Sequence, residues 1–163
     1  MTIRRMFIAA IVFSPRHGTV RRIVDKWRLR IRIAAEDTLG ILYRREESPA
    51  DSTPDSGSRP FTTWLDWMAR RYLIRHSLVT ASSAGELHLS EKGRATAKSL
   101  VRSHRLWETY MSRHFGLPDD HLHATAEQVE HFLSPELQTE LAEELDRPDV
   151  DPHGKSIPGT AEH

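Results

Sequence analysis

The sequence predicts a mostly α-helical protein that contains one small β-hairpin. Apolar residues recur at helical spacing in long segments that begin near Ile33, Thr63 and Glu91. The stretch from Ser48 to Pro60 is rich in serine, proline, aspartate and glycine, so it cannot form a helix. Two short β-prone runs flank the turn sequence Ser-Ser-Ala-Gly. We therefore expect helices along most of the chain and a single hairpin near its middle.

The composition is that of an ordinary globular domain, with 163 residues, 28% of them charged and 38% hydrophobic. The formal net charge is zero, so the whole molecule has no broad positive field for nucleic acid. Cysteine is missing from the sequence, which excludes disulfides and thiolate metal sites. Ten histidines are many for this length, and any bound metal must be held by nitrogen and oxygen. The apolar run from Met6 to Phe13 is shorter than the roughly 20 residues that span a bilayer, so we expect a cytoplasmic protein.

The first half of the chain predicts two helices followed by a β-hairpin. A helix over Ile33–Arg45, weakened by Gly40, is followed by a second helix whose N-cap is Thr62 or Thr63. This second helix has Trp64, Leu65, Met68 and Tyr72 on one side. The hairpin follows, with strands at Leu78–Ala81 and Glu86–Leu89, and its size is that of the wing in a winged helix.

The second half predicts a helical domain. Ser90 is the N-cap of a long helix that ends near His114, and a further helix runs from about Asp119 to Leu133. Ser134 and Pro135 begin the last helix, because Pro is favoured at the first helical position. Its apolar stripe, expected to be buried, consists of Leu137, Leu141 and Leu145. We expect the residues after it to form a loop-like tail.

The helix before Leu133 has histidines and glutamates on one stripe: His123, Glu127, Glu130 and His131. Because a helix rises about 1.5 Å per residue, His123 and His131 lie roughly 12 Å apart and cannot bind the same ion. Glu127, Glu130 and His131 therefore form one group. His123 can meet His104 and Glu108 if the two helices pack antiparallel. The stripe is either a solvated polar face or part of two metal sites, and the compatible spacing of all six residues favours metal.

The second half also resembles a known family. The segments "LHLSEKGRATAKSLVRSHRLWETYMSRHFGL", "HATAEQVEHFLSPEL" and "DPHGKSIPG" resemble the DtxR/MntR family of metal-dependent repressors. The specific motifs are Gly93 after the wing, "HRLWE", and the Glu-x-x-Glu-His run, and the resemblance covers roughly Ile33 to Gly159. It implies a degenerate winged helix with a small β-wing, followed by a helical metal-binding and dimerisation domain.

The resemblance also implies the ligands of two metal sites. The primary site would consist of Asp37, Glu127, Glu130 and His131, and the ancillary site of His104, Glu108 and His123. Asp37, on the first helix, would be the switch residue, because a metal that joins this helix to the dimerisation helices favours the closed arrangement. An aspartate, two glutamates and a histidine suit Mn²⁺ or Fe²⁺, with Zn²⁺ as a further candidate.

The DNA-binding part departs from the family pattern, because the Ser48–Pro60 stretch replaces one helix. Arg70, Arg71 and Arg75 on the helix before the wing either contact DNA phosphates or are ordinary surface charge.

The N-terminus resembles a second kind of protein. "FIAAIVFSPRHG" and the basic run Arg21–Arg32 are similar to the cytoplasmic end of the last membrane helix in manganese/zinc ABC-transporter permeases. The alternative is an amphipathic helix that pairs with a neighbour or lies on an anionic surface.

These observations divide the chain into four regions: 1–32, permease-like and basic; 33–97, winged-helix-like; 98–147, metal-binding and dimerisation; and 148–163, tail. We expect a homodimer that is not an enzyme and has no small-molecule substrate. The leading hypothesis is a metal-dependent transcriptional repressor that binds a DNA operator when loaded with Mn²⁺ or Fe²⁺. The rival is a metal-sensing regulatory domain of a metal ABC transporter without DNA binding. A third alternative is a domain with decayed metal sites that only dimerises.

Overall fold

The computed structural model describes residues 19–47, 63–83, 85–115, 126 and 129–159. The described elements are four α-helices, two strands and a 3-10 helix. They are α1 (Thr19–Glu47), α2 (Trp64–Arg75), β1 (Val79–Ala81), β2 (Leu87–Leu89), α3 (Glu91–Phe115), the 3-10 helix Glu130–Phe132 and α4 (Pro135–Glu144). The prediction of a mostly helical protein with one small hairpin is confirmed. Ala126 and Val129 are helical, and the rest of the helix predicted before Glu130 lies outside the described residues.

Helix α1 begins at Thr19, well before the predicted start at Ile33, and includes the whole basic run. The sequence permits this because neither proline nor glycine occurs between Thr19 and Gly40. The predicted boundary between residues 32 and 33 therefore falls within a continuous helix. In the part of the chain that the structure describes, no helix is long and apolar enough to span a membrane. The run Met6–Phe13 lies outside that part.

Helix α2 begins with a capping box. The Thr63 hydroxyl accepts a hydrogen bond from the backbone N–H of Asp66 at 3.2 Å, and the Asp66 carboxylate accepts one from the Thr63 N–H at 3.0 Å. Two of the otherwise unsatisfied N–H groups at the helix start are paired in this way. The buried residues of α2 are Ala69 and Leu73. Trp64, at the start of the predicted apolar side, is 57% exposed and contacts the ring of Trp27 edge-to-face.

The hairpin packs closely against the start of α3. Strands β1 and β2 are antiparallel, with Val79 opposite Leu89. The Ser90 hydroxyl accepts the N–H of Gly93 at 2.9 Å and so caps α3 as predicted. At Gly93 the helix backbone comes so close to the hairpin that a Cβ atom would lie 1.8 Å from the Leu78 carbonyl oxygen. A residue without a side chain is therefore required at this contact.

Two hydrophobic cores share helix α3. The first lies between α1, α2, the hairpin and the start of α3, and consists of Ala35, Leu39, Ala69, Leu73, Leu78, Val79 and Ala97. The second lies between the end of α3, α4 and the C-terminal segment, and consists of Leu106, Leu141, Ala142, Leu145 and Ile157. In the single chain the predicted burial of Leu137 was wrong. Leu137 is 45% exposed, and its neighbour Gln138 is buried instead. The predicted boundary at residue 97 falls within α3, the helix that joins the two halves.

Candidate metal centre

His131 joins the 3-10 helix to α1 through two carboxylates. Its Nε2 lies 3.2 Å from Oδ1 of Asp37, and its Nδ1 lies 2.9 Å from Oε2 of Glu36. The His131 side chain is 2% exposed, whereas that of Asp37 is 52% exposed. Asp37 and His131, two of the residues predicted for the primary site, are therefore brought together although they are far apart in the sequence.

The contact between His131 Nε2 and Asp37 Oδ1 fits a shared metal ion. Two donor atoms that bind one ion at about 2.1 Å and at right angles to each other lie about 3.0 Å apart. When Nδ1 carries the ring hydrogen and donates it to Glu36, Nε2 presents its lone pair to Asp37. Two acceptor atoms then face each other, and a cation between them satisfies both. A carboxylate and an imidazole are also the ligand types that Mn²⁺ and Fe²⁺ accept.

Glu36 is a functional candidate that the sequence analysis missed. Its Oε1 lies 3.3 Å from Arg32 Nε on the preceding turn of α1, and Arg32 also donates a hydrogen bond to the His131 carbonyl at 3.2 Å. Metal-binding histidines usually donate their other ring N–H to such a carboxylate, which fixes the ring orientation. The only signal in the sequence was the adjacent acidic pair Glu36 and Asp37.

A second group of candidate ligands lies on α3. Nε2 of His104 is 3.1 Å from Oε1 of Glu108 one turn later, and both side chains are almost fully buried. His153 of the C-terminal segment approaches the same oxygen with its Nε2 at 3.7 Å. His153 was not among the predicted ligands, although it lies in "DPHGKSIPG", one of the segments that resemble the repressor family. The turn that positions it is held by Asp151 Oδ1, which accepts hydrogen bonds from the backbone N–H groups of His153 and Lys155.

The other predicted ligands are not described. Glu127 and His123 lie outside the described residues, and of Glu130 only the backbone, at the start of the 3-10 helix, is described. Within the described ranges, no three side chains of the metal-binding types are arranged to hold one ion together. Glu36 and Asp37 approach opposite nitrogens of His131, so only Asp37 can share an ion with Nε2. Among the described residues, Asp37 and His131 are the members of the predicted primary site whose side chains are described.

Arg105 connects this C-terminal segment to the end of α1. Its guanidinium lies 2.7 Å from Glu47 Oε2 and 3.7 Å from Asp151 Oδ2, and it also donates to the Ser156 carbonyl. The side chain is 7% exposed. Burial, followed by the charge of Glu47, raises the pKa of the nearby Tyr43 phenol, which therefore stays neutral beside these ion pairs. Arg105 thus links the turn that carries His153 to the helix that carries Asp37.

We expect Arg105→Ala to destabilise the fold by roughly 2–3 kcal/mol, because it leaves buried Asp151 without its cationic partner. The midpoint of urea denaturation, at unchanged slope, measures this loss. The control is Arg113→Ala, which removes an ion pair with the 91% exposed side chain of Asp146. Its cost should stay below about 0.5 kcal/mol. Equal midpoints for the two variants would show that Arg105 does not hold the two segments together.

The predicted DNA-contacting arginines have different environments. Arg70 donates a hydrogen bond to the Gly85 carbonyl at the tip of the hairpin at 3.0 Å. The Arg71 guanidinium lies over the Trp67 ring at 5.7 Å from its centroid. With Ile74 and Arg75, these residues line a shallow depression of about 390 Å³. This surface combines positive charge with exposed apolar side chains.

The known proteins that this chain resembles include metal-dependent repressors. Residues 90–159, from the wing to the end of the described C-terminal segment, match the family described as "Iron dependent repressor, metal binding and dimerisation domain". The iron-dependent repressor IdeR of Mycobacterium tuberculosis is 38% identical over 88 residues, which are 54% of this chain and 38% of IdeR. Among solved structures, the manganese regulator SloR superposes with a TM-score of 0.65 at 30% identity, over 78% of this chain and 60% of SloR. A manganese-dependent transcriptional repressor in complex with manganese gives a TM-score of 0.64, also at 30% identity. It covers 77% of this chain and 58% of the repressor.

Two chlamydial relatives have a different description. A probable metal transport system membrane protein of Chlamydia trachomatis is 38% identical over 89 residues, which are 55% of this chain and 20% of that protein. A probable metal transport system membrane protein of Chlamydia pneumoniae is 30% identical over 164 residues, which cover 91% of this chain and 35% of that protein. The chain thus spans between a fifth and two fifths of the length of these curated relatives.

Proposed function

We propose that this chain is a metal-sensing regulator and not an enzyme. Its residues 90–159 match the metal-binding and dimerisation domain of iron-dependent repressors. In this proposal it binds Mn²⁺ or Fe²⁺, with Zn²⁺ as a further candidate, and acts as a homodimer that binds DNA when loaded with metal. The observation that carries the proposal is the approach of His131 Nε2 to Asp37 Oδ1 at 3.2 Å. In this contact a candidate metal ligand of α1 lies beside a candidate metal ligand of the matched domain.

The proposed primary ligands are Asp37, Glu127, Glu130 and His131. The bound ion supplies a positive charge shared between α1 and the matched domain. Glu36 orients His131 by accepting the hydrogen of Nδ1, and Arg32 keeps Glu36 in place. Asp37 contributes the half-exposed carboxylate, so it is the ligand that can move when α1 moves. An ion that requires Asp37 and His131 together therefore favours the arrangement in which α1 lies against the 3-10 helix.

The proposed ancillary site consists of His104, Glu108 and His123. We add His153 to it because its Nε2 lies 3.7 Å from Oε1 of Glu108. Its buried carboxylate needs cationic or hydrogen-bonding partners, because a charge withdrawn from water is costly unless compensated. Two histidines from different segments already approach Glu108 within 4 Å. Metal here would fix the C-terminal segment on α3, and through Asp151 and Arg105 it would act on the end of α1.

Exposed apolar side chains support the proposed homodimer. Leu137 of α4 is 45% exposed and Phe132 of the 3-10 helix is 61% exposed. Leu137 belongs to the apolar stripe of α4, yet in the described part of the chain nearly half of its surface is exposed. A second copy of the chain packed against these two side chains would remove their apolar surface from water, which favours association.

Selection from a random-sequence duplex DNA library tests the repressor function. With Mn²⁺ present, the protein should enrich palindromic sequences, because a symmetric dimer reads two equivalent half-sites. Binding to the selected DNA should weaken steeply with salt and disappear with chelator. Arg71→Ala should weaken it about uniformly across sequences if that guanidinium contacts phosphate. Enrichment that does not depend on metal would contradict the proposed switch.

The second candidate function is a metal-sensing part of a metal transport system that does not bind DNA. Two observations favour it: the Chlamydia pneumoniae membrane protein aligns with 91% of this chain, and the helix before the wing exposes Trp64 and Trp67. Specific DNA readers present polar side chains to base edges. Retained Mn²⁺ binding without selection of any DNA sequence, in either metal state, would support this function over the repressor.

A further inference from the structure

The N-terminal part of α1 extends beyond both hydrophobic cores. Every side chain from residue 21 to residue 30 is exposed, and the first core includes α1 only from Ala34 and Ala35 onward. Even so, this part is not uniformly polar. Ile23 and Val24 lie four and three positions before Trp27 and share one face with it, with exposures of 51%, 40% and 41%. An apolar stripe therefore lies in solvent on this segment.

The same ten residues are strongly basic. They contain one acidic residue, Asp25, and five basic residues: Arg21, Arg22, Lys26, Arg28 and Arg30. Asp25 forms an ion pair with Arg21 at 3.7 Å. At about 100° per residue, Lys26 and Arg28 flank the apolar stripe on opposite sides. Arg30 lies over the Trp27 ring at 5.7 Å. An apolar stripe with cations along both sides is the pattern of helices that lie in the interface of an anionic bilayer.

Trp27 extends this surface onto α2. Its ring meets that of Trp64 edge-to-face with centroids 5.1 Å apart, and the Trp64 side chain is itself more than half exposed. Indole rings are well suited to the boundary between lipid headgroups and acyl chains, because one end is apolar and the other can donate a hydrogen bond. The two tryptophans therefore add aromatic area at the end of the stripe that lies nearest the folded body.

We propose that residues 21–30 of α1, with Trp27 and Trp64, form a surface that binds anionic phospholipid bilayers. Charge selects the partner: five cations and one anion on ten residues attract acidic headgroups. The stripe is too short and too basic to cross the bilayer, so the helix lies along its surface. This inference does not depend on the proposed metal-sensing function, since none of these residues is a candidate metal ligand.

Co-sedimentation of the full chain with vesicles of phosphatidylcholine and phosphatidylglycerol tests the proposal. The protein should sediment with these vesicles and should not sediment with vesicles of phosphatidylcholine alone. Lys26→Gln/Arg28→Gln, which removes the two flanking cations, should weaken binding roughly twentyfold, since each basic residue near an anionic surface contributes about fivefold. Trp27→Ala should weaken it by roughly tenfold or more. The matched control is Lys92→Gln/Lys98→Gln, which removes two lysines from α3 and should leave binding unchanged.

Three outcomes would overturn the inference. Equal losses in both double variants would mean that only net charge matters. Unchanged binding in Trp27→Ala would mean that the stripe does not insert. A lower sedimentation-velocity mass of Trp27→Ala without vesicles would show that a second copy of this chain covers the stripe. The Mn²⁺ affinity of Trp27→Ala, measured in parallel, should equal that of the unsubstituted protein, which separates this test from that of the metal function.

Discussion

Asp37→Ala is expected to weaken Mn²⁺ binding by more than about 100-fold. Loss of a partner that merely orients a metal ligand costs about 10–100-fold in affinity, and loss of a direct ligand should cost more. Asp37 is the donor of α1 that faces His131 Nε2, and no other carboxylate of the described residues lies at that nitrogen. Calorimetric titration of Mn²⁺, Fe²⁺ and Zn²⁺ into the chelator-stripped protein measures the loss.

Two further variants make this experiment specific. Glu36→Gln preserves the size of the side chain and should weaken Mn²⁺ binding by about 10–100-fold, because a neutral amide orients His131 less well. Asp25→Ala removes another aspartate of the same helix, one that forms an ion pair with exposed Arg21, and should leave the affinity unchanged. The mass in sedimentation velocity should be the same for all three, which shows that the fold and assembly are intact.

Two outcomes would contradict the prediction for Asp37→Ala. Saturable Mn²⁺ binding that is unchanged in Asp37→Ala would mean that α1 does not supply a ligand, and the proposed switch would be wrong. No saturable binding by the unsubstituted protein would mean that the histidine and glutamate stripe is a solvated face. The third alternative, a domain that only dimerises, would then be correct.

Gly93→Ala is expected to cost about 3 kcal/mol, at the upper end of the usual range for overpacking. The added Cβ would lie 1.8 Å from the Leu78 carbonyl oxygen and 2.8 Å from its carbon, and backbone atoms cannot rotate away. Separating the two elements would also break the hydrogen bond from the Ser90 N–H to the same carbonyl. The melting temperature should fall by about 2–4 °C for each kcal/mol in a chain of this size.

Gly40→Ala is the matched control with the opposite expected sign. Gly40 also lies in a helix, but the nearest atom to an added Cβ is the Arg44 side chain at 3.7 Å, an ordinary contact. Alanine at this position should stabilise the protein by about 0.5–1 kcal/mol, because glycine loses more backbone entropy in a helix. Destabilisation by both substitutions would show that the close contact at Gly93 is not the cause.

Local sequence chemistry predicted most elements of the fold. Thr62 or Thr63, Ser90 and Ser134 were expected to cap helices. The side-chain oxygens of Thr63, Ser90 and Ser134 each accept a hydrogen bond from a backbone N–H three residues ahead. Such signals can be identified from the sequence because the interacting residues are neighbours. The start of α1 was misplaced because its first turns are polar and basic, and hydrophobic periodicity alone gives no strong signal for such an exposed helix.

In the candidate site, too, contacts between neighbours in the sequence were predictable and contacts between distant segments were not. The sequence by itself determined the spacing of His104 and Glu108, since residues four apart on a helix meet whatever the rest of the fold does. Only the tertiary structure decided that Glu36 holds Nδ1 of His131 and that His153 reaches Glu108, because these pairs come from distant segments. Tertiary packing also decided that Leu137 is exposed while Gln138 is buried. Helical periodicity defines a face, but the packing of neighbouring elements determines which part of that face is covered.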